Sequence, residues 1–286
     1  MKESVPSDGV ATRLPPWLKK RVICGGSTGR VVQALDEFRL KTVCREALCP
    51  NIMECFARGT ATFMVLGDSC TRTCGFCGVK KGGPKDPEED EPERLSRAVK
   101  LVGLHHVVVT SVTRDDMPDG GSGHFSRVIL ALKRRKGLKI EVLVPDFRGV
   151  LDDVRKVLEA GPHIFAHNVE TVPRLYPRVR PEACYKRSLR VLEFSNKECK
   201  NIRIKSGLML GLGERKGEVF EVLRDLRRVG CEVVTIGQYL RPSKDQLPVE
   251  RFLEPEEFEE YGEMARKLGF LEVFAGPFVR SSYCIV

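Results

Sequence analysis

Between residues 61 and 268 one pattern returns six times: a short run rich in β-branched and apolar residues, then a longer stretch with apolar residues at helical spacing. The runs are ATFMVLG (61–67), HVVVTSV (106–112), IEVLVP (140–145), HIFAHNVE (163–170), IRIKSGLML (202–210) and EVVTIGQYL (232–240). Helices are predicted over 92–104, 125–136, 150–160, 182–194, 219–229 and 255–268, with Gly230 and Gly269 where C-terminal caps would fall. Parallel neighbours need a long crossover, so this alternation implies an α/β fold with a parallel sheet. The runs are continuously apolar, as suits strands covered on both faces. Eight such units close a barrel and six do not. An open partial barrel and a doubly wound sheet both satisfy the pattern.

Polar residues gather where these runs end. TSVTRDDMPDGG follows the second, HNVE closes the fourth, KSGLML lies in the fifth and GQYL ends the sixth. In parallel barrels the C-terminal rim of the strands carries the chemistry. The loop SCTRTCGFCGV (69–79) follows the first run and belongs to that rim.

Composition narrows the function classes. The 286 residues are 42% apolar and 30% charged, as in an ordinary globular protein. No apolar run approaches the roughly 20 residues of a membrane helix. The first residues, MKESVPSDGVATRLPPWLKK, lack the apolar stretch of a secretory signal, so a cytoplasmic location and no membrane partner are expected. Trp17 is expected to anchor this arm by burying its ring. The net charge of +9 suits an acidic partner. The densest basic run, LKRRKG (132–137), reads as the exposed end of a helix and lacks the interleaved aromatics of a nucleic-acid platform. KKGGPKDPEEDEPE (80–93) reads as a solvated loop. His105, His106, His124, His163 and His167 have no metal-ligand spacing and read as core or loop residues.

Eleven cysteines are present, six of them within the 34 residues from Cys44 to Cys77. A chain of this size without an export signal points away from disulfides and toward metal ligation. The other five show no partner spacing and read mostly as small buried apolar residues. Structural zinc asks for paired C-x2-C knuckles, and only Cys74–Cys77 offers one. Iron–sulfur clusters accept the observed C-x3-C-x2-C spacing, because each thiolate meets a different iron. A cubane on Cys70, Cys74 and Cys77 has one iron without a protein ligand, and an open metal position is where substrate binds.

This C-x3-C-x2-C loop after the first strand of a partial barrel, with Phe76 beside Cys77, resembles the radical S-adenosylmethionine superfamily. There the open iron chelates the amine and carboxylate of S-adenosylmethionine, and an electron from the cluster releases a 5′-deoxyadenosyl radical. A second triplet, Cys44, Cys49 and Cys55, is spaced C-x4-C-x5-C. Together with CPNIMECF, TSVTRDDMPDGG, HNVETVPRLYPRVRP, KSGLMLGLGE, TIGQYLRPS, LPVERFLEPEEF and GPFVRSSY, it resembles the lipoyl synthase family from about Leu14 to Tyr283. The resemblance implies a partial (β/α)6 TIM-like barrel over 59–270. An N-terminal extension, 1–58, would carry the auxiliary cysteines, and a C-terminal segment, 271–286, the RSSY motif.

It also implies a function. The family is a sulfurtransferase of lipoate biosynthesis and protein lipoylation. It inserts two sulfur atoms into an octanoyl chain held on a lysine of a lipoyl carrier domain, in 2-oxoacid dehydrogenase E2 subunits or the glycine cleavage H protein. The cofactors would be S-adenosylmethionine and two [4Fe–4S] clusters. One sits on Cys70, Cys74 and Cys77. The other sits on Cys44, Cys49, Cys55 and Ser282, and is consumed as the sulfur source. Oxygen holds a soft cluster less firmly than thiolate, so the Ser282-bound iron would be the easiest to lose. Asn168 and Glu170 match S-adenosylmethionine contacts, with Thr110 and Ser111 assisting; the plainer alternative is that these four cap strands and turns. DGGSG (119–123) then reads as a flexible loop rather than a phosphate cradle, because S-adenosylmethionine has no phosphate. Cys284, two residues from Ser282, could compete for its iron. Further partners would be an electron donor such as ferredoxin or flavodoxin and an iron–sulfur assembly or carrier protein. Another sulfur-inserting radical enzyme, such as biotin synthase, is the alternative; it would not need the second triplet in this spacing. A zinc-stabilised basic nucleic-acid-binding protein is the rival from a different class, and the β/α rhythm speaks against it.

Overall fold

A computed structural model of the chain describes residues 14–19, 26–46, 49, 51–58 and 60–282. Ten strands occur among them: β1 (Lys41–Thr42), β2 (Thr60–Val65), β3 (Ser69–Cys70), β4 (Lys80–Lys81), β5 (His106–Ser111), β6 (Lys139–Leu143), β7 (Ile164–Ala166), β8 (Arg203–Leu210), β9 (Val233–Gln238) and β10 (Glu272–Gly276). Eight form one sheet in the order β1-β2-β5-β6-β7-β8-β9-β10, while β3 and β4 pair apart. Every contact in the large sheet is parallel except β1 with β2. β1 and β10 are its two edges, so the sheet is an open barrel. Helices Glu91–Val102, Ser122–Lys133, Leu151–Glu159, Tyr185–Glu198, Lys216–Arg228 and Pro255–Lys267 supply the crossovers.

The apolar runs explain this layering. β2 and β9 are buried at every residue, because helices cover one face and the barrel interior the other. Leu151–Glu159 turns Val154, Val157 and Leu158 inward, at helical spacing. Pro255–Lys267 begins with proline behind a Glu254/Glu257 capping box. Gly230 and Gly269 follow their helices at φ 94° and 88°, as expected. The barrel floor is polar: Lys205 Nζ lies 2.7 Å from Glu141 Oε1, with His106 Nε2 3.5 Å from the other oxygen. Burial alone would raise the Glu141 carboxyl; Lys205 and His106 hold it below its ordinary range.

Several expectations change. A seventh parallel strand, β10, lies in the segment assigned to the C-terminal extension, so the sheet runs past residue 270. The fourth predicted strand shortens to β7, with Glu170 making only an isolated bridge to Leu208. DGGSG is a capped turn rather than a flexible loop: the two Asp119 carboxylate oxygens accept from the backbone N–H groups of Gly121 and Gly123, each at 2.9 Å. Residues 80–93 are largely exposed, yet they open with β4 and enter the Glu91–Val102 helix. Trp17 is half-buried and donates to the Leu253 carbonyl at 3.1 Å. No helix of the described residues is long and apolar enough to cross a membrane.

Candidate radical S-adenosylmethionine and sulfur-insertion site

The C-terminal ends of the strands open into a cavity of about 470 Å³. One wall is the cysteine loop. It begins where β2 stops, because Leu66 and Gly67 turn at φ 68° and 96°. The turn at Leu66 is held by both backbone groups: Glu91 accepts from its N–H at 3.1 Å, and Arg114 donates to its carbonyl at 3.2 Å. Farther on, Gly75 N–H donates to Val179 and its carbonyl accepts from Leu247, at 2.9 and 2.8 Å. Arg72 is bonded to Asp115 at 2.7 Å and to Asp146 at 2.6 Å, and Arg187 reaches Asp146 at 3.0 Å. Burial alone would raise the Asp146 carboxyl, but the bonded Arg72 guanidinium holds it well below the usual range.

This scaffold sets Cys70, Cys74 and Cys77 along the cavity wall. Cys70 Sγ accepts from the backbone N–H of Thr113 at 3.3 Å and of Arg72 at 3.5 Å, which fixes the position of the sulfur. Burial pushes the Cys77 thiol up to about 11 and raises Cys74. A metal held by these thiols would displace their protons.

Facing the loop are Asn168, Glu170, Thr110 and Ser111, all lining the same cavity. Glu170 is held at φ 64°, an uncommon conformation for a side chain this size, by Gly207 and Met209, which bond its N–H and carbonyl at 3.0 and 2.8 Å. Burial raises its carboxyl, with Arg180 pulling the other way. Asn168 Nδ2 donates to Glu170 Oε1 at 3.0 Å. The Asn168 Oδ1 and Ser111 Oγ atoms are buried with no hydrogen-bond partner among the described residues. Thr110 instead spends its hydroxyl proton on the Leu143 carbonyl at 2.8 Å, tying β5 to β6.

Arg180 was missed in the sequence, although it stands in the quoted RVRP. It is buried in the cavity wall and donates to the Asn168 carbonyl at 2.8 Å. His167 also lines the cavity, but its ring is committed: one nitrogen meets the Val144 carbonyl and the other Ser188 Oγ, each at 2.9 Å. Burial lowers it to about 4, so it is neutral.

The second triplet approaches from the N-terminal side. Cys44 and Cys49 line the cavity, and burial pushes the Cys44 thiol up to about 11. Cys55 is half-buried on the Ile52–Ala57 helix and is outside the cavity lining. Ser281 and Ser282 line the same cavity. Asn51, between Cys49 and Cys55, donates to the Phe278 carbonyl at 2.6 Å, joining the segment of the second triplet to that of the RSSY motif. Tyr283 and Cys284 lie outside the described residues, as does Cys24. Of the other cysteines, Cys231 is buried as expected, Cys199 is half-buried and Cys184 is exposed.

Among the described residues no three Cys, His, Asp or Glu side chains converge on a single-ion position. A cubane asks for a wider spread, one thiolate per iron. Three thiols on one wall, opposite a buried carboxylate and two polar oxygens without partners, fit an iron–sulfur cluster with S-adenosylmethionine beside it.

Known proteins share this architecture. The Radical SAM superfamily model matches residues 64–226. Among solved structures, methylornithine synthase (PylB) superposes with a TM-score of 0.54 at 15% identity, covering 75% of this chain and 70% of its own. Streptococcus suis SuiB, bound to S-adenosylmethionine, superposes at 0.58 and 11% identity, covering 79% of this chain and 53% of its own. The chain thus belongs to the radical S-adenosylmethionine superfamily. The lipoyl synthase of Caldicellulosiruptor bescii is 55% identical over 270 residues, 94% of this chain and 93% of that protein. That of Caldanaerobacter subterraneus is 52% identical over 274 residues, 96% of each. The chain belongs to the lipoyl synthase family, sulfur-inserting transferases that use S-adenosylmethionine and iron–sulfur chemistry.

Proposed function

We propose that this cavity holds two [4Fe–4S] clusters, one on Cys70, Cys74 and Cys77 and one on Cys44, Cys49, Cys55 and Ser282. We propose further that the second is the sulfur substrate for an octanoyl chain presented by a lipoyl carrier domain. The observation that carries this reading is convergence: five of the six cysteines and Ser282 line one cavity, although the chain separates them by more than 200 residues. When bound, the first cluster supplies an open iron and the electron that cleaves S-adenosylmethionine to a carbon radical.

The chain's own residues position and exclude. Glu170 and Asn168 offer a carboxylate and an amide oxygen to the ammonium and hydroxyl groups of S-adenosylmethionine, and Arg180 offers a cation to its carboxylate. Met64, Val112, Leu143 and Leu208 give the cavity apolar walls that keep water from the reacting carbon. Unactivated C–H bonds have no useful acidity, so positioning for hydrogen abstraction, not acid–base chemistry, is what these residues supply. The remaining partners would be a flavodoxin- or ferredoxin-type electron donor and a protein that rebuilds the consumed cluster, in the cytoplasm.

The test separates the clusters. Cys44→Ala should keep S-adenosylmethionine cleavage and insert no sulfur, whereas Cys74→Ala should lose both. Lipoyl product from the Cys44 variant would overturn the donor assignment.

A further inference from the structure

The C-terminal segment touches both halves of the site. Its Phe278 carbonyl accepts from Asn51, between Cys49 and Cys55 of the auxiliary triplet, at 2.6 Å. Three residues on, Ser281 Oγ accepts from Asn168 Nδ2 at 2.5 Å. A primary amide has two N–H groups. At Asn168 one is given to Glu170 and the other to Ser281, so the amide plane is set from both sides. Its oxygen then faces a partner from outside the protein, for among the described residues it has none. Ser282, next along the chain, is the proposed oxygen ligand of the auxiliary cluster.

We infer that Ser281 is a positioning residue that couples the two clusters' sites, locking the Asn168 amide for S-adenosylmethionine only while Ser282 is held by auxiliary iron. This rests on the assignments of Asn168 and Ser282 above. The two serines share one peptide unit, so displacement of Ser282 moves Ser281. An Asn168 side chain released from Ser281 keeps one anchor instead of two and regains rotational freedom. Binding coupled in this way is reciprocal: intact auxiliary cluster favours S-adenosylmethionine, and S-adenosylmethionine favours retention of the Ser282-bound iron. The consequence is order. An enzyme whose sulfur source has been consumed binds the radical precursor less well, which limits radical formation with nothing to receive it.

The experiment uses reconstituted full-length enzyme and measures the Kd for S-adenosylmethionine by equilibrium dialysis, with iron content and Mössbauer spectra recorded in parallel. Ser281→Ala should weaken binding about fivefold, with the auxiliary cluster still spectroscopically present, and Ser281→Thr, which keeps the hydroxyl, should restore it. Cys44→Ala, lacking the auxiliary cluster, should show a similar loss, and adding Ser281→Ala to it should cost nothing more. Wild-type affinity in Ser281→Ala, or simple additivity of the two variants, would overturn the coupling. Wild-type affinity in Asn168→Ala would instead overturn the site assignment on which the coupling depends.

Discussion

A β-carbon placed on Gly237 would lie 2.1 Å from the carbonyl oxygen of Val279. The absence of a side chain at Gly237 in β9 is what lets the C-terminal segment run in contact with the sheet. Arg280 reinforces the contact by donating to the Gln238 carbonyl at 3.3 Å. Gly237→Ala should push this segment outward. The expected result is reduced iron at the auxiliary site with the Cys70–Cys77 cluster retained, read by iron analysis and by S-adenosylmethionine cleavage without sulfur insertion. Full iron content and normal product would refute the steric argument.

Asp146 ties the cysteine loop to the barrel through Arg72 and Arg187. Removing one partner of a buried pair costs about 3 kcal/mol. Asp146→Ala should therefore lower Tm by roughly 6–12 °C, measured by calorimetry.

The same residue predicts a pH dependence. Its carboxyl is held below the unfolded value, so the folded state binds the proton less readily than the unfolded state does. The stability it confers is complete above the unfolded carboxyl pKa of about 3.9 and fades as pH falls through the depressed folded value. Thermal melts of wild type should therefore fall more steeply below about pH 4 than those of Asp146→Asn. Parallel curves would count against the ion pair.

Glu170→Gln keeps shape and removes charge. A hydrogen bond to a charged group contributes about 1.5–3 kcal/mol, so the Kd for S-adenosylmethionine should rise by roughly tenfold or more. Iron content should be unchanged, because Glu170 is not proposed as a ligand. Loss of iron with unaltered affinity would invert its role.

The basic surface should draw an acidic carrier domain. Raising salt from about 0.05 to 0.5 M should then increase the KM for the octanoyl carrier about tenfold, through slower association. Cleavage of S-adenosylmethionine in the absence of carrier should change little. A salt-independent KM would argue for an apolar docking surface instead.

Much of the fold was legible because it follows from local pattern. Continuous apolar runs such as HVVVTSV become buried parallel strands, and the helical spacing of Val154, Val157 and Leu158 becomes the buried face of a helix. β10 escaped although FLEVFA (270–275) is apolar, because it lies in the segment assigned to the C-terminal extension rather than to the sheet. The ends of β2 and β7 were misjudged for another reason. Leu66 and Glu170 turn into positive φ under restraint from Glu91, Gly207 and Met209, and such tertiary restraint overrides local preference. Arg180 stood in a quoted motif, but burial against Asn168 and Glu170 is what gives it a place in the site.

By itself the amino-acid order determined the alternation of strands and helices and the spacing of Cys70, Cys74 and Cys77, because both reside within a few consecutive residues. Tertiary structure alone decided that Asn168 meets Ser281 across 113 positions and Asn51 meets Phe278 across 227. Such contacts have no local periodicity to announce them. They arise when the open sheet curls, gathers its C-terminal rim into one cavity and brings the segments around Asn51 and Ser281 together there.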